Sequence, residues 1–274
     1  MNRFTSSDGL KLAYRDEGQG LPVLALAGLT RDGRDFDYVA PHLTGIRLIR
    51  MDYRGRGASD WAPDPSAYSI PREALDALEL MDHLGLDKAA VLGTSRGGII
   101  AMTLAATARD RLIGVCLNDI GPAINPAGLG RIMDYLGRNP SFATQSEMAA
   151  AMPAFFPNFS DVTPARWADE VARHTRQTND GLVITYDPKL RDAVEAAGAQ
   201  PVPDLWPLFD ALAGLPLALI RGANSDILLA KDADEMARRR PDMIRRDVPG
   251  RGHIPFLDEP QSIEALTLWL EKMG

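Results

Sequence analysis

One cysteine in 274 residues, Cys116, excludes an internal disulfide framework. Its neighbours Ile113, Val115 and Leu117 point instead to a buried strand thiol acting as a small hydrophobe. No apolar run approaches the roughly 18 residues of a membrane span, and the stretch Met1–Asp8 lacks the apolar core of a secretory leader. An excess of basic charge is also missing. Lys plus Arg number 30 against 37 Asp plus Glu, and a net charge of -7 is the wrong sign for sequence-independent attraction to nucleic acid or anionic lipid. The zinc pattern H-E-x-x-H, the C-x-x-C pair and the phosphate loop G-x-x-x-x-G-K-[ST] are all absent, so no metal and no cofactor is implied. These absences lead us to expect a soluble, cytoplasmic protein without nucleic-acid or membrane partners; they leave monomer or homodimer open.

What is present is an ordinary globular composition, 45% hydrophobic and 24% charged, long enough to bury a full core. Short apolar runs alternate with helical patterns, the signature of a mostly parallel α/β sheet covered by helices. Leu10–Asp16 alternates like an edge strand. Val23–Ala27, Ile46–Met51, Ala89–Leu92 and Leu112–Leu117 are continuously apolar, as strands buried on both faces are. Between them, Pro71–Leu84 carries apolar Leu75, Leu78 and Met81, with Pro near its start and Gly85 just past its end, and reads as a helix.

From Pro122 to Pro216 the texture changes: eleven of the twenty prolines fall here, with few strand-like runs. Short helices are expected around Leu129–Leu136, Glu147–Phe156 and Ala165–Thr175. The alternation then resumes with a strand at Leu217–Ile220, a helix at Asp232–Arg240, a strand at Met243–Val248 and a helix at Ile263–Lys272. A segment that interrupts an alternating fold reads as an insertion. The expected organisation is a core of residues 1–121 and 216–274 with a helical cap over 122–215.

Gly93-Thr94-Ser95-Arg96-Gly97-Gly98 lies between the strand ending at Leu92 and the apolar helical stretch Ile99–Ala108. A serine on a sharp strand-to-helix turn is lifted clear of the sheet, and small glycines let the two backbones approach. The helix N-terminus also aims unpaired N–H groups at any negative charge formed there.

In this context the chain resembles the α/β-hydrolase fold family, in particular its serine esterases and enol-lactone hydrolases. That resemblance implies an eight-stranded, mostly parallel sheet and an acid followed by a histidine after later strands. Asp226, in Arg221-Gly222-Ala223-Asn224-Ser225-Asp226, and His253, in Gly250-Arg251-Gly252-His253-Ile254-Pro255, have that order and context. The loop Asp52-Tyr53-Arg54-Gly55-Arg56-Gly57-Ala58-Ser59 also resembles the family's. The implied chemistry is attack by Ser95, with His253 as base and Asp226 orienting it. Asp119, after the preceding strand, is the alternative acid, and geometry must separate the two.

The resemblance implies backbone N–H donors at Leu29 and Arg96 for the oxyanion. The family often has His-Gly before the first donor, where this chain has Ala27-Gly28, so the side-chain support of that loop must differ. Arg96 opposes the helix dipole and therefore needs a partner. Arg31 or Arg96 could hold a substrate carboxylate, or either could sit in a structural ion pair. Arg31, Trp206 and Phe256 are candidate substrate-binding residues. His174 is expected on a solvated helix face. The expected reaction is hydrolysis of a carboxylic ester, thioester or lactone through an acyl-enzyme. Alternatives are a carbon–carbon bond hydrolase of a keto-dienoic acid, a cofactor-free perhydrolase, and a ligand receptor that keeps the three residues without turnover.

Overall fold

The computed structural model describes residues 1–200 and 203–274. In chain order the elements are β1 (Asn2–Thr5), β2 (Lys11–Gly18), β3 (Leu21–Leu26), β4 (Ile46–Met51), α1 (Ile70–His83), β5 (Ala89–Thr94), α2 (Arg96–Thr107) and β6 (Leu112–Asn118). They continue as α3 (Pro126–Tyr135), α4 (Gln145–Phe155), α5 (Pro164–His174), β7 (Thr175–Thr178), β8 (Gly181–Ile184), α6 (Leu190–Gly198) and α7 (Trp206–Asp210). The last four are β9 (Leu217–Gly222), α8 (Ala230–Arg239), β10 (Ile244–Val248) and α9 (Pro260–Glu271).

Eight strands form one sheet in the order β1-β2-β4-β3-β5-β6-β9-β10. Only β2 runs against its neighbours β1 and β4; the remaining pairs are parallel. Strand alternation sends Leu24, Leu26, Val91, Val115 and Leu117 to one face, under α1, α2, α7 and α8. Val23, Ala25, Leu92, Cys116 and Ile220 face the other way, where Trp269 of α9 closes the layer. This is the doubly covered sheet that the apolar runs predict.

The structure differs from the sequence reading in several details, the first being that β1 occupies the sheet edge expected for Leu10–Asp16. Helix α1 turns Ala74, Ala77, Leu80 and Met81 inward together with Glu73 and Asp76, while Leu75 is 43% exposed. Buried carboxylates shift the inner face away from the leucine stripe. The segment between β6 and β9 holds an antiparallel ribbon, β7–β8, turned at Asn179–Asp180, as well as helices. Helix α7, inside that segment, packs on α2, with Phe209 wholly buried in the main core.

The β5–α2 connection is a single residue, Ser95. Ser95 has φ 49° and ψ -113°, a conformation costing a non-glycine residue on the order of 1–3 kcal/mol. A Cβ at Gly97 would collide with the Leu26 carbonyl, and one at Gly93 would lie 2.6 Å from the Gly97 backbone. Small residues are required because β3, β5 and α2 meet backbone to backbone. We expect Gly97→Ala to lower stability by about 3 kcal/mol, read by urea denaturation, because neither backbone can yield cheaply. Burial pushes the Cys116 thiol well above its ordinary pKa. Since the thiolate is the reactive form, iodoacetamide at pH 8 should leave the native protein unmodified and label it only after unfolding.

Candidate active site

Because β5, β6, β9 and β10 are parallel, their C-terminal ends open on one edge, and the loops that leave them meet there. Ser95 follows β5, Asp119 follows β6, and His253 stands in the loop after β10. His253 Nε2 lies 2.9 Å from Ser95 Oγ, and its Nδ1 lies 2.7 Å from Asp119 Oδ2. An imidazole that gives its Nδ1–H to a carboxylate leaves Nε2 free to accept the serine proton. The histidine loop is held from behind: Phe256 N–H and Arg251 Nε both donate to Glu259, at 2.9 and 2.8 Å, and Asn118 Nδ2 donates to the Pro255 carbonyl at 3.3 Å.

The carboxylate at His253 belongs to Asp119, which corrects the preference for Asp226. Asp119 is wholly buried and sits at φ 55°, a turn that aims its side chain along the sheet edge toward β9. Gly222 N–H donates to Oδ1 at 2.7 Å, and Ser225 Oγ–H donates to Oδ2 at 2.6 Å. Asp226 instead pairs with Arg131 of α3, and its carbonyl accepts from Asn125 Nδ2 at 2.8 Å. The loop after β9 turns Ser225 inward, so the next residue, Asp226, faces α3. Ser225 was not singled out by sequence reasoning, and only its place beside Asp226 hinted at it.

The loop from Ala27 to Arg31 passes over the elbow. Gly28 is positioned so that an added Cβ would stand 3.9 Å from Ser95 Cβ, and Gly97 N–H donates to the Ala27 carbonyl at 3.1 Å. Among the described residues, neither the Leu29 nor the Arg96 N–H has a backbone acceptor. Asp52 ties this loop down by accepting from Gly33 N–H and Ala58 N–H, each at 2.9 Å.

Neither candidate arginine is free. Arg96 Nε donates to buried Glu73 at 2.5 Å, which supplies the partner its place at the helix N-terminus demands. Arg31 Nη1 lies 3.0 Å from Glu170 and 3.3 Å from Asp35, and His174 Nε2 stands 2.8 Å from it. His174 is therefore part of a polar cluster between α5 and the Arg31 loop, not on a solvated face. Burial alone would raise the Glu170 carboxyl, yet His174, 3.6 Å away, and the hydrogen bond from Arg31 hold it below the ordinary carboxylate range. Burial pushes Asp35 up. A substrate carboxylate at Arg31 would have to displace these acids.

Phe256 lines a small cavity with Arg31, Asp35, Tyr38, Thr94, Asn118 and Glu170. At about 10 Å³ this space suits a single water and is far too small for an ester. Trp206 is a second correction. It sits edge-on to Phe209, with the Arg239 guanidinium 4.0 Å from its ring centroid. Arg109, at the end of α2 remote from Ser95, donates to the Ala211 and Ala213 carbonyls, so α7 follows the far end of that helix. Trp206 belongs to a helix that covers the sheet.

Residues 23–266 match the alpha/beta hydrolase family. The 3-hydroxybutyrate-oligomer hydrolase of Cupriavidus necator is 36% identical over 265 residues, covering 92% of this chain and 90% of that protein. Esterase YbfF of Escherichia coli is 26% identical, covering 88% and 89% respectively. The crystal structure of an alpha/beta hydrolase from Novosphingobium aromaticivorans superimposes with a TM-score of 0.91 at 40% identity, covering 99% of this chain and 97% of that one. No described helix is long and apolar enough to cross a membrane. With the strand order and the elbow described above, the extent of these matches shows that the chain belongs to the alpha/beta hydrolase family.

Proposed function

We propose that the chain is a serine hydrolase of carboxylic esters that works through an acyl-enzyme on Ser95. The observation that carries this reading is the line Ser95 Oγ, His253 Nε2, His253 Nδ1, Asp119 Oδ2, with its two hydrogen-bond distances of 2.9 and 2.7 Å. Ser95 Oγ attacks the ester carbon as His253 Nε2 takes its proton, and Asp119 stabilises the imidazolium. The carbonyl oxygen becomes an oxyanion between the Leu29 and Arg96 N–H groups, each such donor being worth roughly 3 kcal/mol of barrier. His253 returns the proton to the departing alcohol. Water, giving a proton to His253, then attacks the acyl carbon, and as the acyl–oxygen bond breaks His253 passes that proton to Ser95 Oγ, releasing the acid and the free hydroxyl.

Helices α3 to α6 and the β7–β8 ribbon form the lid in this reading. Because the guanidiniums of Arg31 and Arg96 are already held by hydrogen bonds to Asp35, Glu170 and Glu73, an acyl group without a carboxylate beside the scissile bond suits the site better than one that would have to displace them. The similarity to a 3-hydroxybutyrate-oligomer hydrolase makes short oligomeric esters of hydroxy acids the first substrates to try. Thioesters and lactones follow the same chemistry.

Steady turnover of p-nitrophenyl butyrate, abolished in Ser95→Ala, is the expected result; single-turnover labelling without release would contradict it. Asp119→Asn should lower kcat by roughly 10⁴-fold, because the amide favours the wrong imidazole tautomer. Asp226→Asn should stay within about threefold of wild type, since it removes only a partner of partly exposed Arg131. Equal losses in the two variants would refute the assignment of the acid.

A further inference from the structure

We propose that Glu73 is a positioning residue for the oxyanion site, fixing the two backbone donors relative to each other through Arg56 and Arg96. The inference rests on the serine-hydrolase reading and deepens it.

Glu73 lies in the first turn of α1 and is wholly buried, as is Arg56. Its Oε1 accepts from Arg56 Nη1 at 2.6 Å, and its Oε2 accepts from Arg96 Nε at 2.5 Å. Arg56 Nε donates to the Leu29 carbonyl at 2.8 Å, and its Nη1 also reaches the Arg54 carbonyl at 2.7 Å. Arg96 Nη2 is anchored on the Tyr68 carbonyl at 3.0 Å. Both residues that offer an N–H to the oxyanion are thus tied to one carboxylate, Arg96 by its own side chain and Leu29 through Arg56. This arrangement supplies the support that the Ala27-Gly28 sequence leaves unexplained, from a helix instead of from the loop itself.

Two guanidiniums and one carboxylate leave a positive charge out of water. Burial and repulsion from Arg96 push Arg56 below its ordinary pKa, and Glu73 is the group that opposes them. Burial would raise the Glu73 carboxyl, but Arg56 and Arg96 outweigh it and keep it ionised. Such trios seldom stabilise a fold better than apolar residues of equal volume. What apolar residues cannot do is grip a carbonyl and a helix N-terminus at fixed separation, or leave a positive field beside a developing oxyanion.

The test uses the full chain. Fluorophosphonate labelling of wild-type Ser95 and turnover of p-nitrophenyl butyrate first check the underlying reading; if both fail, that reading falls and this inference with it. In Glu73→Gln, kcat should fall about 10- to 100-fold while KM stays within about threefold. The inhibition constant of a trifluoromethyl ketone, whose adduct places an oxyanion in the site, should rise by the factor that kcat loses. A fall in kcat under about threefold, or a larger fall without parallel loss of ketone affinity, overturns the proposal. If Glu73→Gln does not fold, Arg96→Met decides, since that side chain is partly exposed and its backbone N–H remains. A kcat loss of about tenfold with matching loss of ketone affinity supports the proposal, and a loss under about twofold or without that match overturns it.

Discussion

A carboxylate removed from water costs several kcal/mol unless its lone pairs are met, and the site is organised around meeting those of Asp119. Its donors come from three directions: His253 Nδ1, Ser225 Oγ and the Gly222 N–H. Gly222 ends β9, Ser225 lies in the loop that follows it, and His253 lies in the loop after β10, whereas Asp119 follows β6. Satisfying this one group therefore fixes the relative placement of the ends of β6, β9 and β10, and His253 is carried with them toward Ser95. The strained turn at Ser95 brings the hydroxyl to the same point, held by backbone contacts that only glycine permits.

Around that point the loops are joined by buried charge more than by apolar contact. Arg54 is enclosed between Asp76 and Asp8, and Arg56 between Glu73 and the Leu29 carbonyl. Asp52 holds two loops by their N–H groups. Ionic ties of this kind add little net stability, because desolvation offsets most of the attraction. Their hydrogen bonds are directional, however, and a catalytic site requires groups held to within about half an ångström. The hydrophobic layers on the two faces of the sheet supply the cohesion, and the charged edge supplies the placement.

The segment between β6 and β9 is bound to this edge at several places. Arg173 of α5 pairs with Asp37 and donates to the Arg34 carbonyl, and Arg166 pairs with Asp258 beside the histidine loop. Phe256 packs with Phe159 and Trp167, at centroid distances of 5.8 and 6.4 Å, so aromatic contacts continue from the helices into the loop that bears His253. Phe159 and Trp167 thus serve packing at the seam with the sheet as well as within the segment, where both also pack with Phe156.

Apolar runs and turn residues mark the inner strands and the turn at Ser95, because strand periodicity and glycine's freedom are local properties, but they leave β1 and the β7–β8 ribbon unmarked, and His253 stands out only through the family resemblance. The positions of Asp119 and Asp226 illustrate where local information ends. Both follow strands, and which one turns toward the imidazole depends on how two adjacent loops share one edge. Trp206 likewise reads as pocket or core until α7 is placed against α2. Helix α1 is the clearest case. Its leucine pattern is visible in one dimension, but the inward turn of Glu73 and Asp76 follows from arginines some 20 residues earlier in the chain, at Arg54 and Arg56. The sequence by itself determined most of the sheet and the turn that presents Ser95; tertiary structure alone decided which carboxylate reaches His253 and which acids meet the buried arginines, because a buried charge is set by the partner that reaches it and not by its neighbours along the chain.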